Sequence, residues 1–232
     1  MFKLLSTANP KIQKGTRLGY LSFILHLAPA DLSGRETCPK RTAGCTAACL
    51  NTAGRGGMFR KGETTNVIQR ARIRKTQYFF EARDHFMNDL YADITKAIRM
   101  AEKLGLKPVF RLNGTSDLSW EKYTIQDKTI FELFPQVQFY DYTKVLGRKV
   151  KHIPNYHLTF SKADGNDSDV AEALLQGMSV VAVYDAIPAG VPSADETDLR
   201  FLDPRGIMLG LKAKGRAKKD YSGFVIRLTE AA

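Results

Sequence analysis

The chain has 232 residues, 44% of them hydrophobic, enough for a large core and too many for a miniprotein held together by disulfides. Lys and Arg outnumber Asp and Glu by 35 to 24, a net charge of +11, so an anionic partner is expected, either nucleic acid or a phosphorylated small molecule. No stretch approaches the ~20 apolar residues of a membrane span, and Met1 to Ser6 lacks the apolar core of a secretory signal. The expectation is no membrane partner and a reducing cytoplasm.

Residues 1–19 read as a polar lead-in. Tyr20 to Leu27 is a short apolar run suited to a buried first strand. A loop over residues 34–57 follows and holds all three cysteines, Cys38, Cys45 and Cys49, with six and then three residues between them. An odd number of cysteines in one short loop argues against a disulfide framework. Three thiols gathered in a loop containing Pro39 and Gly44 suit a metal centre. Zinc prefers four closed ligands, often in CxxC pairs that are missing here, and would have to recruit a histidine, with His26 best placed. A [4Fe–4S] cluster on three cysteines leaves one iron open to a non-protein ligand and is the favoured reading, with zinc as the alternative metal.

From Thr65 to Leu104 apolar residues recur at three- and four-residue spacing, predicting a helix that breaks into two and stops at Gly105. Its start, Arg70 to Lys75, is dense in positive charge, and Arg70 and Arg72 are candidate phosphate contacts. Beyond Gly105, strand, polar tip and helix alternate. Strands are expected at Pro108–Leu112, Val137–Tyr140, Tyr156–Ser161, Ser179–Tyr184, Ile207–Leu211 and Phe224–Ile226, and helices at Ile130–Phe134 and Asp169–Gln176. Alternation implies a parallel sheet in a single α/β domain, a partial (β/α) barrel spanning 1–232. Polar clusters follow the strands, at the barrel face where active sites are built, and the cysteine loop would share that face.

Three cysteines after the first strand of a partial barrel resemble the radical S-adenosylmethionine (SAM) enzymes, although the usual spacing there is three and then two residues. More specifically, the chain resembles the phage and prophage gene-product-88-like proteins. That likeness is carried by Asn9-Pro10-Lys11, His26-Leu27-Ala28-Pro29-Ala30, the cysteine loop, Arg111 to Asp117, Phe139 to Lys144, Asn155 to Ser161, Asp198 to Pro204 and Gly210 to Gly215. It implies a viral origin and the cytoplasm of the host bacterium as the place of work.

The radical-SAM resemblance implies roles for particular residues. Cys38, Cys45 and Cys49 would hold the cluster, and SAM would be its partner. Asn113, Gly114, Thr115, Ser116 and Asp117 lie where that superfamily contacts the SAM amino group, and Thr159 and Ser161 where it meets the ribose. Tyr140, Asp141, Tyr142, Lys144 and His157 would face substrate. Lys212, Lys214, Lys218 and Lys219 would hold a phosphate-bearing substrate as point charges. The competing expectation is a non-catalytic metal protein that binds nucleic acid through its charge, with Trp120, Tyr140 and Tyr142 stacking on bases.

Overall fold

In a computed structural model, residues 3–7 and 14–228 are described. The Asn9-Pro10-Lys11 segment lies outside them. Strands β1 (Leu5–Ser6) and β2 (Tyr20–Leu25) come first. The cysteine loop follows and contains one short helix, α1 (Ala43–Ala47). Helices α2 (Val67–Glu81) and α3 (Arg83–Lys103) lead to β3 (Lys107–Arg111). A small hairpin, β4 (Thr124–Ile125) and β5 (Lys128–Thr129), runs into α4 (Ile130–Leu133). Then come β6 (Gln138–Thr143), β7 (Tyr156–Ser161), α5 (Asp167–Leu175), β8 (Val180–Tyr184), β9 (Met208–Lys212) and β10 (Val225–Ile226).

The result is a mixed α/β fold around a mostly parallel sheet. Among the described residues, only β1 joins this eight-stranded sheet antiparallel, at the edge of β2. From β2 onward the parallel neighbours are β3, β6, β7, β8 and β9, in the order of the chain. β9 pairs with β8 along its whole length, whereas β7 pairs only with Val180 and Val181. β10 takes Val183 and Tyr184. A strand has two edges, so β7 and β8 part after Val181 and β10 enters between their C-terminal ends. This brings the tail of the chain to the same end of the sheet as the cysteine loop.

The expected long helix does break, at Ala82 (φ −140°, ψ 58°), and Gly105 closes it with φ +66°. Phe86, Leu90, Ile94, Ala97 and Ala101 form the buried stripe of α3, at the three- and four-residue spacing that read as helix. Asn66 caps α2 by accepting from the Gln69 N–H at 3.0 Å. On the helix-covered face of the sheet, Phe23, Phe110 and Phe139 sit in register, with ring centroids 5.4 Å apart across each strand pair. On the opposite face, Val109 and Tyr140 pack with Leu199 and Phe201, and Val181 and Leu209 pack with Ala194. The segment after β8 is therefore a cover and more than a connection. Among the described residues no helix is long and apolar enough to cross a membrane.

Candidate metal centre

Because the strands are parallel, their C-terminal ends lie together, and the three cysteines meet residues that follow three different strands. Cys38 Sγ lies 3.9 Å from the carbonyl of Thr115, after β3. The charge of Lys144, after β6, acts on Cys49. Asp164, after β7, anchors the helix that carries Cys45: its carboxylate accepts from the Thr42 hydroxyl, from the Gly44 N–H at 3.1 Å and from the Cys45 N–H at 3.3 Å. Burial alone would raise the Asp164 pKa, but these donors hold it below the usual carboxylate range.

All three thiols are free and half-buried. Cys49 interacts electrostatically with both of the others. Burial pushes the Cys38 thiol up to about 11 and raises that of Cys49. Among the described residues no three His, Cys, Asp or Glu side chains surround one point at metal-holding distance, so the thiols are neighbours and not a closed cage. Two cations stand beside Cys49. Arg72 donates from Nη1 to the Asn51 side-chain oxygen at 2.6 Å, and its buried Nε has no hydrogen-bond partner among the described residues. Lys144 Nζ reaches the Ser161 hydroxyl at 3.3 Å. Among the described residues neither is ion-paired with a carboxylate.

The Asn113–Asp117 turn is a rigid tie. The Ser116 hydroxyl donates to Asn113 Oδ1 at 2.9 Å, and the Thr115 hydroxyl to the Leu27 carbonyl at 2.5 Å. Gly114 fits because a Cβ there would lie 2.6 Å from Ile24 and from the Leu25 carbonyl. Asp117 accepts from the Lys144 N–H at 2.7 Å, while its own N–H donates to Thr37 beside Cys38. These groups therefore set the spacing of the strand ends around the thiols.

Alternation along β6 separates the residues expected to face substrate together. Asp141 points to the helix-covered side, where it accepts from the Asn113 N–H at 2.7 Å and the Tyr156 hydroxyl at 2.9 Å. Burial pushes its carboxyl up to about 7, against the pull of those donors and of Arg111 and Arg148. Tyr140 and Tyr142 point to the opposite face. The Tyr142 hydroxyl donates to Asp198, which also pairs with Arg111 at 3.0 Å. His157 and Thr159, in register with Tyr140 and Tyr142, each carry a buried side-chain atom without a hydrogen-bond partner among the described residues. Trp120 and Tyr140 are fully buried against protein rings, so neither is free to stack on a base. Arg70 is exposed beside Glu63 at 3.7 Å, and Lys214 pairs with Asp195, as does the Lys212 N–H.

His26 does not join the thiols. Its Nδ1 lies 3.4 Å from the Ser6 hydroxyl. Burial, with Arg72, Arg111 and Lys75 nearby, lowers its pKa to about 3, and burial with Arg205 and Arg200 lowers that of His157 to about 4. Both rings stay neutral in the fold while the unfolded chain takes up protons near 6.5. Their contribution is thus complete above pH 6.5 and is lost as pH falls towards 4. Asp141, whose carboxyl is held near 7, changes stability in the opposite sense over the same range, so the histidine share is read from a variant: the difference in urea unfolding between pH 7 and pH 4.5 is expected to shift by about 2 kcal/mol in His157→Gln.

Sequence reasoning did not single out Asp164, Asn51, Arg148 or Asp198 as site residues. Asp164-Gly165 follows β7 just as the other polar tips follow their strands, and that position was the available signal.

This α/β chain, with three thiols at the C-terminal end of its parallel sheet, belongs to the gene product 88 family, whose model matches residues 3–228. No curated protein and no solved structure matches it.

Proposed function

We propose that Cys38, Cys45 and Cys49 hold a [4Fe–4S] cluster with one open iron, and that the protein is a radical-SAM-like enzyme of phage origin acting in the host cytoplasm. The observation that carries this reading is the pair of cations, Arg72 and Lys144, whose charge acts on the half-buried Cys49 thiol and which, among the described residues, form no ion pair with a carboxylate. Neutral thiols do not need that charge, whereas three thiolates around a metal do. Among the described residues no histidine joins the thiols in a metal-holding group, which favours the cluster over zinc. Six parallel strands in chain order are also what a partial (β/α) barrel requires.

When bound, the cluster supplies one-electron chemistry to a co-substrate on its open iron. The protein's own residues do the positioning. Asp164 fixes the Cys45 backbone, the Asn113–Asp117 turn fixes Thr37 and Cys38, and Arg72 and Lys144 balance the charge. Tyr142, Arg111 and Asp198 line the adjoining face of the sheet, and a phosphate-bearing substrate suits the surplus of positive charge. The test is electron paramagnetic resonance of the reduced, reconstituted protein. Adding SAM is expected to change the cluster spectrum, and an unchanged spectrum would remove the SAM assignment.

A further inference from the structure

We infer that the rim of the cysteine face, built by the turn carrying Arg55, Arg60 and Lys61 and by the C-terminal turn carrying Arg216, Lys218 and Lys219, is a docking surface for single-stranded nucleic acid. The inference names the polymer that the proposed enzyme would act on, and it rests on that reading only for what happens after binding. The two turns touch: a Cβ on Gly215 would lie 3.4 Å from Ala53, only four residues beyond Cys49. The first turn is held in shape by Asn66 Nδ2, which donates to the Gly56 and Met58 carbonyls at 2.9 and 3.0 Å, and by Gln69 Nε2 on Gly56 at 3.0 Å. The second is held by Arg227, whose guanidinium donates to the Lys218 and Asp220 carbonyls.

All six cations are exposed, and among the described residues none of them is in a salt bridge. The neighbouring carboxylates are already engaged. Glu63 lies beside Arg70, Asp195 pairs with Lys214, and Asp220 accepts from the Ser222 hydroxyl and the Val225 N–H. This excess of like charge is disfavoured in the free protein and relieved by a polyanion. Met58, Phe59 and Tyr221 stand among the charges at 70%, 38% and 74% exposure, with the Arg227 guanidinium 4.1 Å over the Tyr221 ring. Exposed rings between cations are the pattern that stacks unpaired bases. An anionic lipid surface calls instead for a long amphipathic helix, and this rim is made of turns and of 3-10 segments of only 4 and 5 residues.

The experiment is fluorescence anisotropy of the full chain with a labelled 20-nucleotide single-stranded DNA between 50 and 300 mM NaCl. The Arg216→Ala/Lys218→Ala/Lys219→Ala variant is expected to bind about tenfold more weakly and to lose about two from the slope of log K against log salt. Arg99→Ala/Lys103→Ala, on the exposed side of α3, is expected to leave both unchanged. Equal losses in the two variants, no binding of the native chain at 50 mM salt, or tighter binding to phosphatidylglycerol vesicles than to DNA would overturn the assignment. Iron-free Cys45→Ser protein is expected to bind DNA normally, so failure of the cluster proposal would leave this one standing.

Discussion

Asn113→Ala is expected to lower the thermal midpoint by about 10 °C or more. Asn113 is 2% exposed, and its Oδ1 accepts from the Ser116 hydroxyl at 2.9 Å, the Leu118 N–H at 2.9 Å and the Trp120 indole N–H at 3.1 Å. Its Nδ2 donates to the Leu118 carbonyl at 2.9 Å. Alanine cannot replace that acceptor, and neither the Leu118 amide nor the indole nitrogen can turn to water. Orphaned buried donors cost about 1–3 kcal/mol each, so the sum is on the order of 4 kcal/mol before the cavity is counted. The loss also loosens the Phe79–Phe86–Trp120 cluster, which seats α2 and α3 on the sheet. Calorimetry checks it: a fall under 3 °C would mean that water or a neighbour takes over the acceptor.

Gly44→Ala is expected to abolish metal uptake at the proposed three-thiol site and to destabilise the chain by about 2 kcal/mol. In an isolated helix the same change would stabilise by roughly 1 kcal/mol. Here an added Cβ would lie 2.0 Å from Ser222 Oγ and 2.6 Å from Asp164 Oδ1. The serine can rotate away. The carboxylate cannot move without releasing the Thr42 hydroxyl and the Gly44 and Cys45 N–H groups together. Losing that clamp frees the short helix that places Cys45, so the effect on metal content should exceed the effect on folding. Metal per chain and urea unfolding, measured on the same preparation, separate the two; full metal occupancy would show that the Asp164 clamp does not position the thiols.

Most of the fold was legible because each strand is a compact apolar run and each helix carries its stripe and stop. The expected Pro108–Leu112, Tyr156–Ser161 and Ser179–Tyr184 strands differ from β3, β7 and β8 by one residue at most at either end. Where the reading fell short, the cause was a partner distant in sequence. β6 runs on to Thr143 because Asp141, polar in sequence, is buried on bonds from Asn113 and Tyr156. β1 escaped notice because two residues suffice for an edge strand, and β10, expected at Phe224–Ile226, was legible as a strand but not in its place, which depends on β7 and β8 parting. That the three cysteines of the loop are neighbours was legible from their spacing alone. The cations beside it, and the Asp164 carboxylate that holds it, come from other strand ends.

The most direct test of the three-thiol cluster is iron and acid-labile sulfide per chain in anaerobically purified, reconstituted protein, compared with the Cys45→Ser variant. The account predicts brown native protein with about four irons and four sulfides and a variant that retains almost none. Colourless native protein that carries one zinc and takes up no iron on reconstitution would contradict it.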